Sequence, residues 1–160
     1  MVSVLRSKMA KTNFQNTLYD ILEKAMKINR AKLGNMQIVN NQNNWLEIVA
    51  HRGFGAEFVE HFKIVTQEDG TICGQAMKLR QTVFVDDVTT DKGFSAHVHY
   101  AKSAGFRTVI STPLISSRGR LMGVISNHFN LPHRFTKDEL VRFEKFCSVA
   151  ADTIEEFILK

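Results

Sequence analysis

The sequence predicts an α+β domain with a central, mainly antiparallel sheet of about five to six strands and a helix at each end. Two observations support this fold class. The first is a pair of hairpins, each made of two apolar segments joined by a polar turn. The second is the helical spacing of apolar residues near both termini. Hairpins join antiparallel neighbours, whereas a doubly wound sheet needs a crossover helix after nearly every strand.

The N-terminal half contains helices and strands bounded by turn residues. Gly34 ends the apolar period of the first helix, an asparagine-rich turn separates the next two strands, and Thr71 has the residue type of an N-cap. Residues 1–11 are interpreted as a flexible segment that precedes a single domain over residues 12–160. The predicted elements are a helix at 12–33, strands at 36–39 and 45–50, helices at 56–61 and 72–79, and a strand at 82–85.

The C-terminal half contains the longer hairpin and the last helix. Residues 86–93 are expected to form a loop, and residues 94–103 a short helix that Gly105 closes in the left-handed conformation. Two strands then follow between Gly105 and Phe129, with a turn at 116–119. Thr136 and Glu139 have the spacing of a capping box, which predicts a helix from this point to the end of the chain.

The two faces of the longer hairpin differ in polarity. A turn of even length fixes which residues share a face. The more apolar face suits amphipathic helices, whereas polar groups among apolar neighbours on the other face are typical of a pocket wall. The alternative is that these polar groups bond only to each other or to the backbone. The predicted faces are Ile110, Thr112, Leu114, Leu121, Gly123, Ile125, Asn127 and Phe129 on one side, and Val109, Ser111, Pro113, Ile115, Arg120, Met122, Val124, Ser126 and His128 on the other.

Both terminal helices carry wide apolar stripes, and that of the last helix has heptad spacing. We expect the stripes to cover the apolar sheet face and also to pair two chains in a homodimer. The alternative is that both stripes are used within one subunit. The residues assigned to the dimer interface are Leu140, Phe143, Cys147, Ile154, Phe157, Leu18 and Ile21.

Composition excludes several classes of protein. No apolar run approaches the ~18 residues that span a bilayer, so membrane insertion is not expected. The net charge of +5 is dispersed over different elements, which argues against nucleic-acid binding. The two cysteines are far apart and lack metal-ligand spacing, which indicates neither a disulfide scaffold nor a zinc site and favours a reducing cytoplasm.

Seven segments occur in an order that matches a known family: residues 34–37, 49–54, 73–76, 83–88, 104–109, 111–114 and 119–129. Together they resemble the GAF domain family, and most of all the GAF domains of bacterial sensor histidine kinases. The resemblance covers residues 13–159. It implies a GAF/PAS-like sheet with terminal helices on one face and a small-molecule pocket on the other. It also implies a cytoplasmic role in a bacterial two-component system, with a histidine kinase or another signalling output domain as partner.

The resemblance implies that Ser111 and His128 face the pocket and that residues 94–100 form its lid. This lid contains no cysteine, so a covalently attached bilin is not expected. A cyclic nucleotide or haem remains an alternative ligand, and the cofactor is unknown. The residues assigned to ligand binding are Ser111, His128, His97, Tyr100, Phe94, Asp86, Asp87, Ser126 and Met122.

The predicted function is non-catalytic: a sensory or regulatory domain that binds a small organic ligand and signals through its terminal helices in a dimer. Cys73 is the best candidate nucleophile, because a helix N-terminus favours the thiolate. Cys147 is expected on the other side of the sheet, so a thiol redox enzyme of the free methionine sulfoxide reductase type is a lesser alternative. A dimerisation scaffold with a filled pocket is another. No metal site is expected, because His97 and His99 diverge on a helix and the Asp86–Asp91 loop lacks a calcium-binding pattern.

Overall fold

The computed structural model describes the backbone of residues 2–159 and the side chains of residues 7–159. It confirms the predicted α+β fold class. The elements in chain order are α1 (Val2–Asn29), β1 (Leu33–Asn40), β2 (Trp45–Arg52), α2 (Ala56–His61), β3 (Ile64–Val65), α3 (Ile72–Leu79), β4 (Val83–Val85), a 3₁₀ helix (Lys92–His97), α4 (Val98–Ala104), β5 (Thr108–Ile115), β6 (Leu121–Phe129) and α5 (Lys137–Leu159).

The six strands form one sheet in the order β3-β2-β1-β6-β5-β4, and all neighbouring strands are antiparallel. Helices α1 and α5 cover one face, which we call the terminal-helix face. The shorter helices cover the other, which we call the lid face. Each face has its own apolar cluster, so the sheet is buried on both sides.

Helix α1 differs from its predicted bounds at both ends. Its backbone is helical from Val2 rather than from residue 12, and the proposed division into a flexible segment and a domain stays a prediction. It ends at Asn29 because Arg30 adopts a left-handed conformation with φ 57°, and Ala31 N–H donates to Met26 O at 2.8 Å. This ending resembles a glycine C-cap without the glycine.

Two other elements were not fully predicted. Strand β3 has two residues that pair with β2, which is too short for alternation to reveal. The helix expected at 94–103 is a 3₁₀ helix followed by α4. Gly105 closes α4 with φ 83°, which confirms the predicted cap.

A bulge in the longer hairpin corrects the placement of Met122. Leu114 pairs with Gly123, as the even turn predicted, but Ile115 pairs with Leu121, which leaves Met122 without a partner. The extra residue reverses the facing of the strand beyond it. Met122 therefore belongs to the apolar cluster of the terminal-helix face, and Leu121 packs against the cluster of the lid face.

The terminal stripes are used mainly within one subunit. Leu18, Ile21, Phe143, Cys147 and Ile154 are all buried in the cluster of the terminal-helix face, which corrects their assignment to a dimer interface. The stripes are wide because two helices and the sheet meet along them.

Two residues assigned to the interface remain partly accessible. Leu140 and Phe157 are half-buried, and the Phe157 ring stacks on Phe14 with centroids 5.1 Å apart. A role for these two in dimerisation stays a prediction.

The capping box at the start of α5 is confirmed. Glu139 N–H donates to Thr136 Oγ1 at 3.1 Å, and Thr136 N–H donates to Glu139 Oε1 at 3.5 Å. We expect Thr136→Ala to lower the free energy of unfolding by about 1 kcal/mol, because the helix loses its cap. Urea unfolding measures this change, and Thr136→Ser, which keeps the hydroxyl, is the control. Equal losses in the two variants would contradict a capping role.

Candidate functional site

A small cavity lies on the lid face between the sheet and the short helices. Its volume is about 20 Å³, counted as the space open to the centre of a water molecule, which is room for about one water. The residues that line it are Asn35, Gln37, Phe58, Phe62, Thr71, Ile72, Cys73, Phe94, Phe106, Val109, Ser111, Ser126 and His128.

Strands β1, β5 and β6 form the floor of the cavity. Asn35 pairs with Ser126 across β1 and β6, and Ser126 pairs with Ser111 across β6 and β5, so the three side chains share one face. The Ser111 and Ser126 hydroxyls are 2.6 Å apart and bond to each other. For these two residues, the structure matches the alternative in which polar groups satisfy one another.

Three other polar atoms of the floor lack such a partner. Asn35 Oδ1, Gln37 Oε1 and His128 Nδ1 are buried and make no hydrogen bond within the described part of the chain. The exposed fractions of their residues are 4%, 0% and 5%. Most buried polar groups in proteins are hydrogen-bonded, so these three atoms leave hydrogen-bonding capacity unused around one cavity.

His128 sits in an aromatic environment. Its ring meets Phe54 and Phe106 edge-on, with centroids 4.9 Å and 4.6 Å away. Burial disfavours the imidazolium and lowers the pKa of His128 to about 3. The ring is therefore neutral at physiological pH, and it offers the cavity a hydrogen-bonding nitrogen without a charge.

The start of α3 brings Cys73 to the cavity. Thr71 is the N-cap and its Oγ1 accepts from Gly74 N–H at 3.0 Å, as predicted. Cys73 Sγ lies 3.5 Å from Thr71 Oγ1 and accepts from Gln37 Nε2 at 3.5 Å. Burial raises the pKa of the Cys73 thiol by more than these hydrogen bonds lower it. The expectation of a thiolate favoured by the helix N-terminus is therefore wrong.

The second cysteine is remote from the cavity. Cys147 lies in the cluster of the terminal-helix face, and burial raises the pKa of its thiol. The sheet separates it from Cys73, as the sequence predicted.

Three phenylalanines cover the cavity, and we call them the roof. Phe58 is in α2, Phe62 directly follows α2, and Phe94 is in the 3₁₀ helix. The centroids of Phe58 and Phe62 are 4.6 Å apart, and those of Phe62 and Phe94 are 6.5 Å apart. The roof therefore joins two short segments that are not neighbours in sequence.

A pair of histidines lies outside the roof. His97 Nε2 is 2.6 Å from the carbonyl oxygen of Asp69, and His97 Nδ1 is 2.9 Å from His61 Nε2. A carbonyl can only accept, so His97 Nε2 donates to it, and in the neutral ring His97 Nδ1 then accepts from His61. His61 also stacks on Tyr100 at 3.6 Å. His97 and Tyr100 thus connect α2, the 3₁₀ helix and α4 behind the roof, and neither lines the cavity.

The aspartate loop has a structural role. Arg107 and then Thr89 donate hydrogen bonds to Asp87, which lowers the pKa of this carboxyl. Asp86 forms an ion pair with Arg134 at 3.8 Å, and Asp91 caps the 3₁₀ helix by accepting from Phe94 N–H. Neither Asp86 nor Asp87 lines the cavity, which corrects their placement in the ligand site.

Neither metal nor membrane features are evident in the described part of the chain. Over residues 2–159, no group of three or more His, Cys, Asp or Glu side chains is arranged to hold a metal ion. His99, for example, pairs with Glu57 at 3.2 Å. The same residues contain no helix with the length and apolarity needed to cross a bilayer.

The arrangement of sheet, terminal helices and roofed cavity agrees with a family comparison. The GAF domain model matches residues 11–155. The chain belongs to the GAF domain family. Its sheet order and its two covered faces are those of a GAF fold, which confirms the resemblance noted in the sequence.

Solved structures of similar fold come from proteins of different activity. A Sinorhizobium meliloti 1021 domain assigned to a two-component sensor histidine kinase has 15% identity and a TM-score of 0.68, covering 88% of this chain and 90% of that one. The GAF domain of an Acinetobacter phosphoenolpyruvate-protein phosphotransferase has 15% identity and a TM-score of 0.72, covering 99% and 94%. The free methionine-R-sulfoxide reductase of Neisseria meningitidis has 20% identity and a TM-score of 0.70, covering 90% and 78%. No curated protein matches. At these identities the likeness shows the fold alone.

Sequence reasoning found only part of the cavity of this GAF domain. It assigned Ser111, Ser126, His128 and Phe94 to the site, and all four line the cavity. It did not assign Asn35, Gln37, Thr71, Cys73 and the phenylalanines Phe58, Phe62 and Phe106 to ligand binding. A signal for Gln37 was present, because it interrupts an apolar strand between Met36 and Ile38.

Proposed function

We propose that this GAF domain is a non-catalytic sensory or regulatory module that binds a small organic molecule in the cavity. The observation that carries the proposal is the group of three unpartnered polar atoms on Asn35, Gln37 and His128. Leaving a buried polar atom without a partner costs about 1–3 kcal/mol. A ligand that bonds to these atoms recovers part of that cost, and this supports binding at this place.

The proposed signal is a population shift between two positions of the roof. The cavity now has room for about one water, so a larger ligand requires the roof to move. The contact between His61 and His97 holds α2 against the 3₁₀ helix, and a ligand that favours another roof position competes with this contact.

The terminal helices are the proposed route of the signal out of the domain. Strand β1 carries Gln37 on the lid face and Met36, its neighbour, in the cluster of the terminal-helix face. A small movement of β1 therefore reaches α1 and α5. In the proposed assembly these helices pair in a homodimer and act on a histidine kinase or another output domain, in a cytoplasmic bacterial two-component system. The likeness to a sensor kinase domain supports this role.

Two other functions are each favoured by one observation. The small size of the cavity favours a dimerisation scaffold whose pocket is filled by the roof phenylalanines. The presence of Cys73 in the cavity favours thiol redox chemistry. Against the latter, the chain has two cysteines, and Cys147 lies on the opposite face, so a disulfide between them is out of reach.

Native mass spectrometry of the protein purified from cells tests the main proposal. We expect a copurified small mass that is lost, or about tenfold less abundant, in Gln37→Leu and His128→Leu, because each removes one hydrogen-bonding group. Thr112→Val, a buried change on the other face of the sheet, is the control and is expected to keep the mass. A dimer that remains ligand-free after incubation with cell extract would favour the dimerisation scaffold instead.

Cys73→Ser separates sensing from thiol chemistry. We expect this variant to keep the copurified molecule, because the polar atoms of Asn35, Gln37 and His128 remain in place. We also expect neither wild type nor variant to reduce free methionine sulfoxide in the presence of dithiothreitol. Wild-type reductase activity that disappears in Cys73→Ser would contradict the non-catalytic proposal.

A further inference from the structure

We propose that the cavity takes a small uncharged aromatic molecule that donates hydrogen bonds from one edge, such as an aromatic carboxamide. This inference rests on the proposed ligand-binding function and specifies the chemical class of the ligand. It follows from three properties of the lining: its charge, the type of its unpartnered atoms and the shape of its apolar walls.

The lining carries no formal charge. None of the described residues around the cavity is Asp, Glu, Lys or Arg, and His128 is neutral there. An ionised ligand would lose its hydration without meeting an opposite charge, which opposes binding strongly. The N-terminus of α3 supplies a partial positive charge, but Thr71 Oγ1 already accepts from Gly74 N–H at this end. An uncharged ligand avoids the desolvation of an ion altogether.

The unpartnered atoms require hydrogen-bond donors from the ligand. Asn35 Oδ1 and Gln37 Oε1 are carboxamide oxygens, which only accept. Gln37 Nε2 is directed to Cys73 Sγ at 3.5 Å, and this contact orients the carboxamide. Asn35 and Gln37 are two positions apart on β1 and point to the same side of the sheet. One edge of a ligand that carries N–H or O–H groups can therefore meet both oxygens.

The walls favour an aromatic body. The cavity as it stands has room for about one water, so an aromatic ring enters only when the roof moves, and it then meets the roof phenylalanines and Phe106. Phe94 and Phe106 already meet each other with their rings tilted by 67° and their centroids 6.4 Å apart. Aromatic rings pack on one another in offset-stacked or edge-to-face geometry. An aromatic carboxamide combines such a ring with an amide edge that donates hydrogen bonds and has no charge.

A matched pair of probes tests this ligand class. Benzamide and benzoate have nearly the same shape, but benzamide is neutral and donates two hydrogen bonds, whereas benzoate is an anion that only accepts. Each is titrated into ¹⁵N-labelled protein while the side-chain carboxamide resonances of Asn35 and Gln37 are followed by NMR. We expect benzamide to shift both resonances and to bind at least about tenfold more tightly than benzoate.

Variants of Gln37 locate the binding in the cavity. Gln37→Leu is expected to weaken benzamide binding about tenfold, and Gln37→Met repeats the test if the leucine variant does not fold. Gln42→Leu, in the exposed turn between β1 and β2, is the control and is expected to bind as wild type does. Equal weakening in the Gln42 variant would contradict a role for Gln37.

The outcomes separate the ligand class from the proposed function. Benzoate binding as tightly as benzamide, with shifts at the cavity, would overturn the uncharged class but leave ligand binding intact. A copurified anion would likewise overturn the uncharged class and leave ligand binding intact. If neither probe shifts the Asn35 and Gln37 resonances and no small mass copurifies, the cavity holds only water, and both proposals fail.

Discussion

Acidification from about pH 7.5 to about pH 4.5 is expected to lower the free energy of unfolding by about 3 kcal/mol through His128. Burial lowers the pKa of this histidine to about 3 in the folded protein, from 6.5 as its ordinary value. Between these two values the unfolded chain binds a proton that the folded chain does not. Stability is therefore retained above pH 6.5 and lost as the pH falls toward 3, at about 1.4 kcal/mol per pH unit.

Urea unfolding at a series of pH values measures this loss. His128→Phe removes the titrating group but keeps an aromatic ring beside Phe54 and Phe106. Its free energy of unfolding should therefore fall less steeply with acidification, by about 1.4 kcal/mol per pH unit. His99→Gln replaces an exposed histidine and is the matched control. Unchanged pH dependence in His128→Phe would contradict the assignment. NMR titration of the wild-type His128 ring gives an independent check, because the ring is expected to stay neutral down to about pH 4.

Local signals in the sequence predicted the elements that local chemistry determines. The Thr71 cap, the left-handed Gly105 and the capping box of Thr136 and Glu139 are all confirmed, because each depends on atoms within a few residues. An irregularity in strand pairing was missed. The bulge that displaces Met122 lies beside the turn of the hairpin formed by β5 and β6, and alternation along one strand does not reveal it.

The floor of the candidate site was predicted only where the strand pairing was known. Ser111, Ser126 and His128 were found because they lie in a hairpin, whose turn fixes the facing. Asn35 and Gln37 lie on β1, which pairs with β6 across a long stretch of chain, so their facing depended on a register that the sequence does not show. The same limit applies to the dimer, because an apolar stripe does not reveal whether it meets its own sheet or another chain.

Gly123→Ala is expected to lower the free energy of unfolding by about 3 kcal/mol or more, because β1 passes too close to this position for a methyl group. A Cβ atom at Gly123 would lie 2.0 Å from the carbonyl oxygen of Gln37 and 3.2 Å from the Cα of Ile38. Both atoms belong to the backbone, so no side-chain rotation relieves the clash, and β1 and β6 must move apart.

The same displacement would disturb the cavity, because Gln37 on β1 and Ser126 and His128 on β6 line it together. Gly123→Ala is therefore expected to lose the copurified molecule even where it still folds. Gly55→Ala is the comparison: nothing lies within 4 Å of its added Cβ, and its cost is limited to the weaker N-cap that alanine gives α2, so its stability should fall by no more than about 1 kcal/mol. Thermal and urea unfolding of the two variants give the comparison. If Gly123→Ala were as stable as Gly55→Ala, the close approach of β1 to β6 would be wrong, and with it the geometry that brings Gln37 to the cavity.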